Sequence, residues 1–186
     1  MRFIEYLRSI INVSEELHLE LQRITTNTVV NKGQYLLRSG AQCTDIYYVE
    51  SGLLRGYYFN EDKEITNWLA LDSEFATSFY SFIARVPSTE SIEALETSEL
   101  VQLPYASLQQ LYADFPETER LGRILTENYY IRLEGRLLSV QFTTARERYQ
   151  QLLANNPLLL QRAPLGHIAS YLGITQETLS RIRAQY

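Results

Sequence analysis

Residues 167–183 read HIASYLGITQETLSRIR, and the spacing inside this stretch decides how the whole chain is read. Two helices that cross at a fixed angle need a small side chain where they touch, and Ala169 supplies one. Gly173, four positions on, is free to take the positive φ of a connecting turn. Ile168, Leu172, Ile174, Leu179 and Ile182 supply apolar packing, and Thr175 suits the cap of a second helix. The pattern predicts a helix-turn-helix with Gln176, Glu177, Ser180, Arg181 and Arg183 projecting outward.

Those outward residue types match the chemistry of base edges. Arg donates twice to guanine, Glu accepts from cytosine, and Gln brackets adenine, each good pair discriminating by about 1–3 kcal/mol. Arg162, His167, Ser170 and the helix N-termini are candidates to hold phosphates.

The overall charge does not oppose this reading. The 186 residues carry 17 Lys+Arg against 22 Asp+Glu. From residue 140 onward, however, five arginines face two glutamates, a local +3 against −8 for the remainder. Phosphate binding needs only a local basic face.

Working back, Pro116 to Phe142 has no internal proline and predicts one helix about 40 Å long. Leu121, Ile124, Asn128, Ile131, Gly135, Leu138 and Phe142 follow the alternating spacing of a coiled-coil seam. A second apolar line, Leu125, Tyr129, Leu133, Leu137 and Val140, is placed to pack on the preceding segment. One small domain rarely covers both faces of so long a helix, so a homodimer is expected, with Asn128 setting register and Gly135 allowing close approach. Thr144 and Glu147 form a capping box that starts the next helix. Pro164 suits the first turn of the helix after it.

Residues 1–115 turn from helical to strand character. Ser14 is placed to cap a helix carrying Leu17, Leu21 and Ile24 on one face. Short β-rich runs then alternate with turn residues, including a hairpin that turns between Asn60 and Lys63. The reading is an antiparallel sandwich or barrel, closed by a short helix over YASLQQLYADF.

No apolar run approaches the roughly 20 residues that span a bilayer, and the N-terminus is not a signal peptide, so a cytoplasmic protein is expected. One cysteine, Cys43, cannot close an internal disulfide or supply the thiolates of an iron–sulfur cluster. Neither His18 nor His167 sits in a metal-ligand spacing, so no metal site and no resident cofactor are expected. No nucleophile–base, phosphate-loop or paired-carboxylate pattern appears, and no catalytic residue is assigned.

With these parts in order, the chain resembles the Crp/Fnr family of bacterial transcription regulators over nearly its whole length. KGQYLLRSGAQCTDIYYVESGLLRGYY resembles that family's cyclic-nucleotide-binding-type β-roll, and SFYSF and TENYYIRLEGRLLS resemble its Bacteroidetes subgroup. The implied fold is α+β. It has an N-terminal antiparallel β-roll of jelly-roll type (1–115), a long dimerisation helix (116–142) and a C-terminal all-α, winged-helix-like helix-turn-helix domain (143–186).

The resemblance implies a pseudo-palindromic operator in double-stranded DNA, a second copy of the chain and RNA polymerase as partners, and no membrane. Gln176, Glu177 and Arg181 correspond to base-reading positions, with Thr175, Thr178 and Arg183 near the backbone. No wing is expected after the second helix, where the sequence ends at Tyr186, and the link from Asn155 to Pro164 is too short for a preceding β-hairpin.

The family's ligand site carries over incompletely. The implied pocket comprises Ser73, Glu74, Phe75, Pro87, Ser88 and Thr89, with Arg132 as a substitute cation. Ser73 stands where a glycine is usual, and Ser88 where an arginine neutralises the cyclic phosphate. Glu90 stands where a small neutral residue is usual. Losing an Arg–phosphate pair forfeits a charge-assisted contact, and the added Glu repels the anion. Two expectations stay open: a small-molecule effector other than a cyclic nucleotide, or no small ligand in the roll. A second reading makes the chain a ligand-sensing module whose helix-turn-helix contacts a protein.

Overall fold

The computed structural model describes residues 2–185; the expected lack of a wing beyond Tyr186 lies outside them. Two helices come first, α1 (Arg2–Arg8) and α2 (Glu15–Ile24). Ser14 caps α2 by accepting the Leu17 amide, as its sequence predicts. Helix α1 was not expected. Its first amides donate to the Glu50 carboxylate, from Arg2 N and Phe3 N at 3.0 Å each, so its cap arrives from far along the chain.

The β segment then runs β1 (Thr26–Val30), β2 (Tyr35–Leu37), β3 (Asp45–Ser51), β4 (Leu54–Asn60), β5 (Lys63–Ala70) and β6 (Phe75–Ala76). After helix α3 (Phe79–Ala84) come β7 (Ser91–Ala94) and β8 (Ser98–Pro104). One antiparallel sheet has the order β1-β8-β3-β6 and the other β2-β7-β4-β5. Alternate residues of both sheets, among them Val49, Leu54, Ala70, Ala94 and Leu100, pack inward as a shared core. This is the expected jelly-roll. The β4–β5 hairpin turns where expected, with Glu61 at φ 54.

Helix α4 (Tyr105–Asp114) leads into α5 (Pro116–Phe142), whose bounds match the sequence reading and whose proline sits in the first turn. The seam on α5 is not uniform. Leu121 packs into the protomer's own core under α1 and α2, whereas Ile131, Leu138 and Phe142 are 65%, 48% and 77% exposed. The second line also divides. Tyr129 stacks on Phe79 of α3 at 3.9 Å, but Leu133, Leu137 and Val140 remain exposed instead of packing on the sheets.

Helix α6 (Ala145–Asn155) starts at the Thr144–Glu147 capping box. Helix α7 (Pro157–Arg162) fills the short link, and no strand lies between α5 and the C-terminal end among the described residues. Then come α8 (Leu165–Tyr171) and α9 (Gln176–Arg183). Pro164 stands just before α8 as its cap residue, one position earlier than expected. Tyr149, Leu152, Leu159, Ile168, Leu172 and Leu179 share one core with Leu53, Leu69, Leu71 and Leu95 of the β segment. The helical domain is thus seated on the outer face of the β4–β5 sheet.

Candidate nucleic-acid interface and effector cavities

The crossing of α8 and α9 is built from the residues whose spacing suggested it. Ala169 is 2% exposed at the contact, Leu179 is 0% exposed beneath α9, and Gly173 has φ 68. The Gly173 amide donates to Ser170 O and the Ile174 amide to Ala169 O, closing the turn. Thr175 caps α9 by accepting the Thr178 amide at 3.2 Å. Gln176, Glu177, Ser180, Arg181 and Arg183 are all exposed, and Arg181 donates to Thr178 Oγ1 at 3.3 Å. An exposed row of Gln, Glu and Arg on the second helix, held by an apolar underside, is what base-edge contact requires.

The structure corrects three of the phosphate-binding expectations. Arg162 faces the β segment, where it donates to Asp72 at 2.8 Å and to the Glu96 carboxylate. These partners hold the Arg162 pKa above its ordinary value, and the Arg162 guanidinium holds the Asp72 carboxyl below its own. Ser170 Oγ accepts the Thr66 amide at 2.8 Å and donates to Glu64 O at 3.1 Å, fastening α8 to strand β5. His167 is half-buried beside this joint, and burial, then the nearby Arg55, lowers its pKa. Arg162 at the end of α7 and Ser170 on α8 thus fasten the helical domain to the β segment, and His167 lies on α8 near this joint.

Sequence reasoning missed the rest of that joint. Arg55 is 1% exposed and donates to Glu64 at 2.7 Å, Glu93 at 2.8 Å and Thr66 Oγ1 at 2.9 Å. Arg136 of α5 donates to Tyr171 O at 3.0 Å and Thr66 O at 3.2 Å. Arg148 of α6 donates to Leu172 O at 2.9 Å and Thr143 O at 2.6 Å. Apart from Thr143, five residues from Arg148, these partners are not local in sequence, and no local pattern announces them.

The seven residues assigned to a ligand pocket do not assemble into one. Ser73, Glu74, Phe75 and Arg132 line a cavity of about 770 Å³ between α1, α3, α4 and α5, with Phe3, Leu7 and Leu108 among its apolar walls. Arg132 pairs with Glu74 at 3.2 Å, and Glu74 also accepts the Leu71 amide at 2.9 Å. Ser73 has φ 66, so the left-handed backbone that favours glycine is kept here with a serine. Pro87, Ser88 and Thr89 lie elsewhere. Pro87 and Thr89 are exposed, and Pro87 bridges to Gln42.

Ser88 is buried in an internal network. Its hydroxyl lies 2.9 Å from Ser78 Oγ, donates to Glu90 O at 2.9 Å and accepts the Glu90 amide at 3.1 Å. The Glu90 carboxylate, 8% exposed, accepts from Trp68 Nε1 and Asn67 Nδ2 at 3.2 Å each. Burial raises its pKa. The Trp68 indole lies so close against Gly56 that a side chain there would collide with it. Trp68 and Glu90 thus occupy this part of the roll, with an acid near the position where the resemblance would have an arginine.

Cys43 is buried, its Sγ 3.2 Å from Thr77 Oγ1. A single thiol does not fit an iron–sulfur cluster. Among the described residues no three His, Cys, Asp or Glu converge as a metal site.

Residues 28–115 match the cyclic nucleotide-binding domain. The chain is 27% identical over 180 residues to the fumarate and nitrate reduction regulatory protein of Vibrio cholerae, covering 89% of this chain and 70% of that one. It is 25% identical over 179 residues to electron transport regulator A of Shewanella oneidensis, covering 84% of this chain and 67% of that protein. Its fold is similar to FixK2 from Bradyrhizobium japonicum, with TM-score 0.74, 20% identity and coverage of 87% and 84%. It is also similar to CLP of Xanthomonas campestris, described as a c-di-GMP responsive global regulator, with TM-score 0.71, 18% identity and coverage of 92% and 91%.

Proposed function

The chain is a Crp/Fnr-family regulator carrying a cyclic nucleotide-binding domain, and from that premise we propose that it acts as a homodimeric, sequence-specific transcription regulator. The observation that carries the proposal is α9: Gln176, Glu177 and Arg181 stand exposed on a helix fixed by Leu179 and Ile182 below and by the Thr175 cap at its start. Gln176, Glu177 and Arg181 read base edges, and Thr175, Thr178 and Arg183 contact the backbone.

Dimerisation falls to the second half of α5. Ile131, Leu138 and Phe142, with Leu133, Leu137 and Val140, leave a contiguous apolar length of helix in water, which a second copy would bury. Two α9 helices related by that axis would enter successive major grooves about 34 Å apart. Because Glu90 and Trp68 occupy part of the roll, its effector is not a cyclic nucleotide.

Selection from random duplexes by the full chain tests the proposal. A two-fold site with half-sites one helical turn apart is expected. Recovery of no two-fold site at low salt would count against it, and salt-insensitive capture of a protein partner would favour the second reading.

A further inference from the structure

Glu177 and Arg181 stand one turn apart on α9 with the acid first, the order in which two such side chains most readily pair on a helix. Among the described residues they do not pair. Arg181 donates instead to Thr178 Oγ1 at 3.3 Å, while the side chains of Gln176 and Glu177 make no hydrogen bond among those residues.

The Thr178 hydroxyl is itself fixed from the other side. Thr175 Oγ1 accepts the Thr178 amide at 3.2 Å and donates its own hydrogen to Thr178 Oγ1 at 3.1 Å. The helix cap, Thr178 and Arg181 therefore form one chain, with three residues between successive members' positions. A hydroxyl has two acceptor lone pairs and one hydrogen. Thr175 and Arg181 take both lone pairs of Thr178, which leaves its hydrogen to donate outward, as a phosphate oxygen requires. Arg181 commits one of its five N–H groups to Thr178 and keeps the rest for a bidentate contact to guanine.

We infer that Thr178 is a positioning residue for base reading: it holds the Arg181 guanidinium away from Glu177 and so leaves both side chains to the base edges. This rests on the reading of α9 as the DNA-contacting helix. Ordering a mobile arginine at an interface is costly, and an arginine already held by its own helix avoids part of that cost. An ion pair between Arg181 and Glu177 would also satisfy each of them in place of a base.

Thr178→Val keeps the branched shape and the amide that Thr175 caps but lacks the hydroxyl, whereas Thr178→Ser retains it. Base preferences of the full chain are measured on one random duplex pool for the wild type, both variants, Arg181→Ala and the Thr178→Val, Arg181→Ala double variant. Thr178→Val should lower discrimination about fivefold at the position that Arg181→Ala identifies, the cost of ordering a released arginine. Thr178→Ser should keep the wild-type preference there. In the Arg181→Ala background, Thr178→Val should relax that position no further. Thr178→Ala, which favours the helix, removes the same hydroxyl and keeps the test decisive should the valine variant fail to fold. Uniform weakening at every position would make Thr178 a phosphate contact alone and overturn the inference, as would wild-type preference in Thr178→Val or an equal loss in Thr178→Ser. A wild-type chain that selects no site would overturn the reading of α9 and the inference together. A wild-type site with unaltered variants would overturn the inference alone.

Discussion

Ser170 of the helix-turn-helix accepts the backbone amide of Thr66 in strand β5 at 2.8 Å, across 104 residues of sequence. A helix hydroxyl thereby takes the place of a neighbouring strand at the edge of a sheet, where an amide otherwise lies open. The β segment and the helical domain are joined by this bond, by the Arg162 ion pairs and by a common apolar core.

Ser170→Ala should therefore loosen the joint. Thr66 is 0% exposed, so its amide would lose a partner in a buried place, at a cost of about 1–2 kcal/mol. Faster hydrogen exchange at Thr66 and a lower urea midpoint are expected. Wild-type protection of that amide would show that the bond does not hold in solution.

Arg162→Gln separates a seating role from a phosphate-binding one. Arg162, Asp72 and Glu96 side chains are 23%, 31% and 34% exposed, so solvent screening limits the loss to about 1 kcal/mol. The salt dependence of DNA binding should stay unchanged, whereas Arg183→Gln should reduce its slope by about one per half-site. Equal reductions in the two variants would return Arg162 to the DNA interface.

His167 makes the joint sensitive to acid. Its folded pKa is lowered by burial and then by Arg55, outweighing the opposing Glu93 and Glu64. Above the ordinary histidine pKa of about 6.5 both folded and unfolded states hold it neutral, and stability is intact. As pH falls below that value the unfolded state takes up the proton first, and stability declines. The thermal midpoint should drop as pH falls below about 6.5, and His167→Gln should drop less over the same range. Parallel profiles would refute the assignment.

How much of this was readable from sequence depends on the distance between partners. Ser14, Thr144 with Glu147, and Thr175 cap helices within three residues of themselves, and each cap was legible. The bounds of α5 and the β4–β5 turn were legible for the same reason. Helix α1 was not, because Glu50, its cap, lies 47 residues from Phe3. Arg162 was assigned to phosphate because a lone arginine near a helix-turn-helix suggests it, while Asp72 lies 90 residues away. Likewise, the side chains Trp68 and Glu90 that meet in the roll are 22 residues apart, and only the loss of the arginine at position 88 hinted at them.

The divided burial of α5 predicts two different kinds of defect. Ile131→Arg with Leu138→Arg should give a folded monomer by sedimentation and weaken operator binding, because both side chains are exposed in the protomer. Leu121→Ala, which touches the protomer's own core, should instead cost about 2 kcal/mol of protomer stability. A double arginine variant that stays dimeric would remove α5 from the interface.

If α9 reads bases, Arg181 is the residue whose loss shows it. Base preferences of the wild-type chain and Arg181→Ala are measured side by side on the same random duplex pool. A two-fold site is expected for the wild type and, for the variant, relaxed preference at one position in each half-site, worth about 1–3 kcal/mol of discrimination. Identical preferences at every position would contradict base reading by α9.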